Sequence, residues 1–398
     1  MKEHLRSWAF LVAASLFCAQ WLLLWAVKLP LPFPADILLP GLGVLGAAFM
    51  LTWAAELAQM EVSKGLAIAL LALITVLPEY TVDIYLAWTA GKNPIYTPLA
   101  TANMTGANRL LIGAGWAAVG VFYWLKSGKK EISIAKNHRV EIFALLLATL
   151  YSFLIPIKGN IALYDSAVLI AIYGVYVYKT SKAGITEPEL EGGPAELFSA
   201  TPRNQRLVIN IFMFLLSGLT IFLAAKPFAE GLISGGQKLG IEKFLLIQWI
   251  APLASEAPEF IVAIIFALRM KGSEGLGILV SSKVNQWTLL VGMLPIAFSL
   301  SARSLAPMHM DTRQVEELLL TSAQSLFALI VLANLRFSLI EALTLFVLFA
   351  TQFFFTDPTF RLVYSGVYIL LAAMLFIVSK QNRTGLKELF TAAWSGGN

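Results

Sequence analysis

The stretch Pro252–Phe260, PLASEAPEF, lies within an apolar run and sets Glu256 and Glu259 three residues apart with Pro258 between them. A related arrangement occurs earlier at Ile74–Asp83, ITVLPEYTVD, where Pro78 precedes Glu79 and Asp83 stands four residues on. Both spacings put the two acids on one helix face. Proline has no N–H, so within a helix it frees the carbonyl four residues back, here that of Ile74 or Ala254. A freed carbonyl beside a carboxylate gives two hard oxygens within one turn. Thr75 and Ser255 adjoin those carbonyls and offer hydroxyls. A calcium ion takes about six to eight such oxygens at roughly 2.3–2.6 Å, most of which two crossing helices of this kind would supply.

The chain of 398 residues is 58% hydrophobic and only 13% charged. Soluble domains carry about 25% charged residues, so this composition points to lipid as the solvent. Runs of roughly 20 apolar residues, long enough to cross a bilayer, recur from end to end. The first, SWAFLVAASLFCAQWLLLWAV, is longer than a signal-peptide core and has no small-residue cleavage site after it; it reads as a retained span. A single cysteine, Cys18, excludes an internal disulfide and a thiolate cluster. His4, His138 and His309 are scattered at loops and ends, which argues against a histidine zinc site. The net charge of +5 follows the membrane pattern of Lys and Arg and says nothing of nucleic acid.

Hydrophobic windows predict an all-α polytopic membrane protein of about twelve transmembrane helices, near 8–28, 36–59, 64–90, 98–125, 139–157, 161–178, 207–233, 242–269, 275–300, 314–335, 337–355 and 360–379. The Gly-, Pro- and Glu-rich KTSKAGITEPELEGGPAELFSATPRNQR reads as a linker between halves. Lys and Arg concentrate on the side holding both termini and this linker, which the positive-inside rule places in the cytoplasm. A cell membrane, plasma or inner, is the expected location.

The two halves repeat each other. Glu79 and Glu259 are 180 positions apart, Val140 and Val315 are 175 apart, and a five-residue insertion in TAGKNPIYTP accounts for the difference. Each copy holds five helices, and an odd number inserts the copies in opposite orientations. Inverted repeats are a mark of secondary transporters with a mid-membrane substrate site. The expected organisation is an extra helix in 1–35, a first repeat in 36–178, a cytoplasmic linker in 179–206, a second repeat in 207–355, and an extra helix and tail in 356–398.

The helix after each Pro-Glu helix carries a second polar set: Asn103, Asn108 and Arg109 in TANMTGANRLLIG, and Ser281, Ser282, Lys283, Asn285 and Gln286 in LVSSKVNQWTLLVG. The separation of 175 sets Asn108 against Lys283 and Leu111 against Gln286. The order Pro-Glu helix, short loop, small-residue helix, repeated in inverted halves, resembles the cation/calcium exchanger superfamily. That resemblance covers both repeats, best over 36–125 and 207–300. It implies exchange of calcium for sodium or protons, with Glu79 and Glu259 as calcium ligands. The family's Gly-Thr-Ser is Ile74-Thr75-Val76 in one copy and Ala254-Ser255-Glu256 in the other. Its Gly-Ser-Asn is Gly106-Ala107-Asn108 and Ser281-Ser282-Lys283, and a sodium ligand of some members is Leu111 and Gln286. Lys283 and Arg109 would put fixed positive charge where other members hold a monovalent ion, favouring proton coupling.

A lone Pro-Glu in a helix is ordinarily a kink with an interfacial glutamate; its return in both copies favours a site. Arg109 and Lys283 are equally readable as partners of Asp83 or Glu256 that hold helices together. Asn103, Asn108 and Asn285 are readable as interhelical ties, and Glu56, Asp165 and Glu341, nearer helix ends, as solvated or structural groups. Each mid-helix charge costs roughly 2.5–3.5 kcal/mol. Six of them, four acids and two bases, leave an excess of two negative charges that a divalent cation or two protons would cancel. The expected ligand set is Glu79, Glu259, Asp83 and Glu256 with Thr75, Ser255, Asn103, Asn108, Ser282 and Gln286; Lys283 and Arg109 compensate charge. The expected partners are the bilayer and inorganic cations, with no cofactor, no nucleic acid and no enzymatic activity. An antiporter of another cation and a non-transporting membrane scaffold or sensor remain open. An intramembrane enzyme lacks the Gly-x-Gly-Asp, His-Glu-x-x-His and Ser–His patterns it would need.

Overall fold

A computed structural model describes residues 2–58, 60, 77–182, 193–355 and 357–394. Helices of more than ten residues are numbered in chain order. The first half holds α1 Lys2–Val27, α2 Ala35–Ala58, α3 Leu77–Ala90, α4 Thr97–Leu110, α5 Ala117–Ser127, α6 Arg139–Ser152 and α7 Leu163–Lys182. The second holds α8 Arg203–Leu239, α9 Lys243–Leu268, α10 Gly272–Asn285, α11 Val291–Ala302, α12 Thr312–Leu332, α13 Leu339–Thr351, α14 Pro358–Val378 and α15 Lys380–Trp394. Helix is the only open-ended structure that satisfies every backbone polar group in hydrocarbon. Among the described residues, eight helices are long and apolar enough to cross a membrane, nine if the bent α9 counts as one span. The expected count of about twelve is not matched exactly but is roughly consistent with these spans. The first part of the window 64–90, with Thr75, lies outside the described residues. α15 was expected only as a tail.

The chain divides into two compact units, Met1–Leu86 with Ser181–Pro258 and Ala87–Thr180 with Glu259–Asn398. Each unit draws on both halves of the sequence. In the first, α1, α2 and α8 pack through Ala14, Cys18, Ala47, Met50, Leu51, Ala54, Met213 and Ile221. Lipid offers no hydrophobic drive for this association, so close backbone approach has to supply it. A Cβ at Gly46 would stand 2.7 Å from the Ala14 carbonyl oxygen, and one at Gly231 2.6 Å from that of Asp36. Glycine is what lets α2 meet α1 and α8 at these depths.

The second unit displays the internal repeat directly. α4 and α10 have 14 residues each and begin 175 positions apart, at Thr97 and Gly272. Each runs into a π-helical turn, Leu111–Trp116 and Gln286–Leu290, with the same offset between their first residues. Short strands in the loops then report orientation. β1 (Glu131–Ser133) pairs antiparallel with β4 (Arg336–Ser338), and β2 (Asn160–Ile161) with β3 (Met308–His309). The repeat offset makes β1 the counterpart of β3, yet β1 shares a membrane face with β4. The span α12 separates β3 from β4, so β1 and β3 lie on opposite faces. The copies are inverted.

Candidate functional site

In the first unit the acids sit where the sequence places them. Glu79 and Asp83 are buried one turn apart on α3, with 1% and 0% of their surface exposed. Two residues after Asp83, the Tyr85 hydroxyl donates to Glu230 Oε1 of α8 at 2.9 Å. On α9, Ser255 and Glu256 are buried. The Ser255 hydroxyl donates back to the carbonyls of Ala251 and Pro252 at 3.2 and 3.3 Å. Its proton is thus committed to the backbone, which leaves its lone pairs available to accept. α9 is bent by 57° between Lys243–Ala257 and Glu259–Leu268, as a proline that removes a backbone hydrogen bond predicts.

In the second unit Glu259 is buried, and its Oε2 has no hydrogen-bond partner among the described residues; the same holds for the hydroxyl oxygen of Ser282 on α10. An acceptor left so is costly to bury. Asn103, Asn108 and Gln286 are also buried. Asn108 donates through Nδ2 to the Met104 carbonyl at 2.9 Å. Its Oδ1 accepts from the Lys283 ammonium at 2.8 Å, and its backbone carbonyl accepts from the same group at 3.2 Å. Lys283 is wholly buried, with its Nζ 4.6 Å from the centroid of the Trp287 ring. The Asn108 oxygen expected to face a transported cation therefore holds a resident ammonium instead.

Arg109 is engaged with groups the sequence reading did not single out. Its Nη2 meets Glu317 Oε2 of α12 at 2.5 Å, and Nη1 donates to Gln352 Oε1 at 3.1 Å. Arg361 of α14 reaches Glu316 at 3.1 Å and Glu317 at 3.8 Å, and Gln352 donates to the Tyr368 hydroxyl at 3.0 Å. The described ion pairs here join two arginines to two glutamates. Glu316 and Glu317 stand within two turns of the start of α12. Their signal was the arginine in the otherwise apolar α14. Asp165 is buried rather than solvated, bound by Lys158, the Tyr151 hydroxyl and the Ala162 N–H. Glu341 closes a capping box with Ser338.

Among the described residues, no three His, Cys, Asp or Glu side chains are placed together to hold a metal ion.

The sequence matches the family described as "Sodium/calcium exchanger protein" over residues 37–181 and 209–356. Over its whole length the chain is similar to the H+/Ca2+ exchanger CAX, whose crystal structure it matches with a TM-score of 0.94 and 42% identity, covering 98% of that chain. It also shares the fold of the sodium-calcium exchanger NCX_Mj, with a TM-score of 0.54 and 16% identity over 81% of this chain and 98% of that one. Among curated proteins there is no match. The repeat register, the paired Pro-Glu helices and these likenesses agree, and the chain belongs to the sodium/calcium exchanger protein family.

Proposed function

We propose that the protein is an antiporter that exchanges calcium for protons by alternating access. The observation that carries this reading is the full-length similarity, at 42% identity, to an H+/Ca2+ exchanger. The residues give it a mechanism. Glu79 and Glu259 act as the principal calcium ligands, and Asp83 and Glu256 as secondary acids that bind cation or carry protons. Thr75, Ser255, Asn103, Ser282 and Gln286 contribute neutral oxygens.

Charge favours protons as counter-ions. With Arg109 engaged by Glu317, its charge is not available to the four acids of the proposed ligand set, which a divalent ion together with protons would neutralise. Cancellation matters because each uncompensated charge mid-membrane costs roughly 2.5–3.5 kcal/mol; only a neutralised site lets the surrounding helices slide. The termini and linker lie in the cytoplasm of a plasma or inner membrane, following the distribution of Lys and Arg.

Radiocalcium uptake into proteoliposomes under an imposed pH or sodium gradient tests this reading. Proton-driven uptake is expected in wild type and is abolished in folded Glu79→Gln and Glu259→Gln. Absence of wild-type calcium flux under either gradient defeats it; uptake driven by sodium alone moves the counter-ion from proton to sodium.

A further inference from the structure

Lys283 and Asn108 touch each other and are also each other's counterparts in the internal repeat. Their separation in sequence is 175, the offset that relates α4 to α10 and one π-turn to the other. In a two-fold arrangement a residue that contacts its own counterpart lies on the axis, as in any isologous contact. The axis of an inverted repeat runs in the membrane plane, at the depth where transporters bind their substrates. On this axis one copy presents a carboxamide and the other an ammonium.

The described contacts of the ammonium are ones that a bound monovalent cation also makes. Two oxygens of Asn108 accept from it, at 2.8 and 3.2 Å, and the face of Trp287 lies 4.6 Å away. A ring face attracts sodium or potassium as it attracts an ammonium, through its quadrupole. The residue itself is fully buried. The four-carbon stem brings the charge to this point from α10, so it cannot be released during a transport cycle.

We propose that Lys283 is a tethered substitute for a monovalent cation on the axis, and that it determines specificity: it places a fixed charge between the paired helices α4 and α10 where a free sodium or potassium ion would sit, and so makes exchange indifferent to both. The proposal rests on the exchange reading for its consequence in transport, but the occupancy it describes is measurable without transport.

The test uses Lys283→Ser, which vacates the stem and charge, and Lys283→Asn, which restores the same residue type on both sides of the axis. Radiocalcium uptake driven by a pH gradient is compared in choline, sodium and potassium salts. Wild type is expected to transport equally in all three. The variants are expected to be slow in choline and at least about tenfold faster in sodium or potassium, a difference of 1.4 kcal/mol. In detergent, the melting temperature of each variant should rise with the concentration of sodium or potassium while that of wild type does not, since a ligand stabilises only the state that binds it. A variant that folds in choline yet shows neither response overturns the proposal. If both variants collapse in choline, sodium or potassium present during purification must return monodisperse protein, and failure to do so overturns it as well. Loss of wild-type calcium flux alone would refute the exchange reading and leave the melting result standing.

Discussion

Glu317→Gln removes one negative charge from the buried network of Arg109, Glu316, Glu317 and Arg361 while keeping shape and volume. The substitution removes one of the two carboxylate charges that face these arginines. Arg109 then faces a neutral amide at the place of its 2.5 Å contact and retains Gln352 at 3.1 Å. Arg361 keeps its 3.1 Å bond to Glu316, so the loss falls chiefly on Arg109, of which 3% is exposed. Breaking a buried ion pair from one side costs about 3–5 kcal/mol, a large part of the roughly 5–15 kcal/mol that holds a protein folded. Neutralising both partners removes the uncompensated charge, so Glu317→Gln combined with Arg109→Gln should recover about 2–3 kcal/mol of the summed single losses. Equilibrium unfolding in mixed micelles, followed by the fluorescence of the ten tryptophans, measures all three variants. The reasoning fails if Glu317→Gln costs less than about 1 kcal/mol, the level of an exposed pair, or if the double variant loses the full sum.

Two further outcomes follow from the packing. Gly231→Val would drive a side chain into the Asp36 carbonyl oxygen, 2.6 Å from the position of its first carbon; overpacking of this kind costs about 1–3 kcal/mol and should lower the unfolding midpoint, whereas Gly218→Val, with nothing within 4 Å, should leave it unchanged. Asn382 donates to the Ile330 carbonyl at 2.6 Å and accepts from Asn334 and Ser379 at 3.0 and 2.6 Å. Asn382→Ala strands these groups at about 1–3 kcal/mol, so limited proteolysis should cut within 380–394 sooner than in wild type, with the span α14 left intact.

Much of the architecture was legible because lipid simplifies the code. Apolar length alone marks a span, and the Pro-Glu motif with Val140 and Val315 fixes a repeat offset that the structure reproduces residue for residue at α4 and α10. What was not legible depended on contacts between distant helices. Arg109 read as a partner for Asp83 or Glu256 because those were the acids already singled out; its contact with Glu317 is 208 positions away and has no local signature. α15 escaped because its stripe of Leu386, Leu389, Phe390 and Ala393 is amphipathic rather than uniformly apolar. It docks through Phe143 against Phe390 at 5.2 Å, and through Arg139 with Glu388. Four short strands escaped because two or three residues carry no periodicity.

The buried charges fall into two classes that the sequence presents as one. Arg109, Arg361, Glu316 and Glu317 pair among themselves, as do Lys158 and Asp165; such groups bring their own counter-ions and hold helices in place. Lys283 meets the two oxygens of Asn108 and the face of the Trp287 ring. An inverted repeat starts with two equivalent positions on its axis, and identical neutral side chains there would leave any charge between them free to exchange with solvent. Replacing one of the two by lysine turns that charge into part of the chain. The symmetry that builds the scaffold and the asymmetry at its centre then have separate roles: the first permits two equivalent access states, and the second fixes which ions are left to move between them.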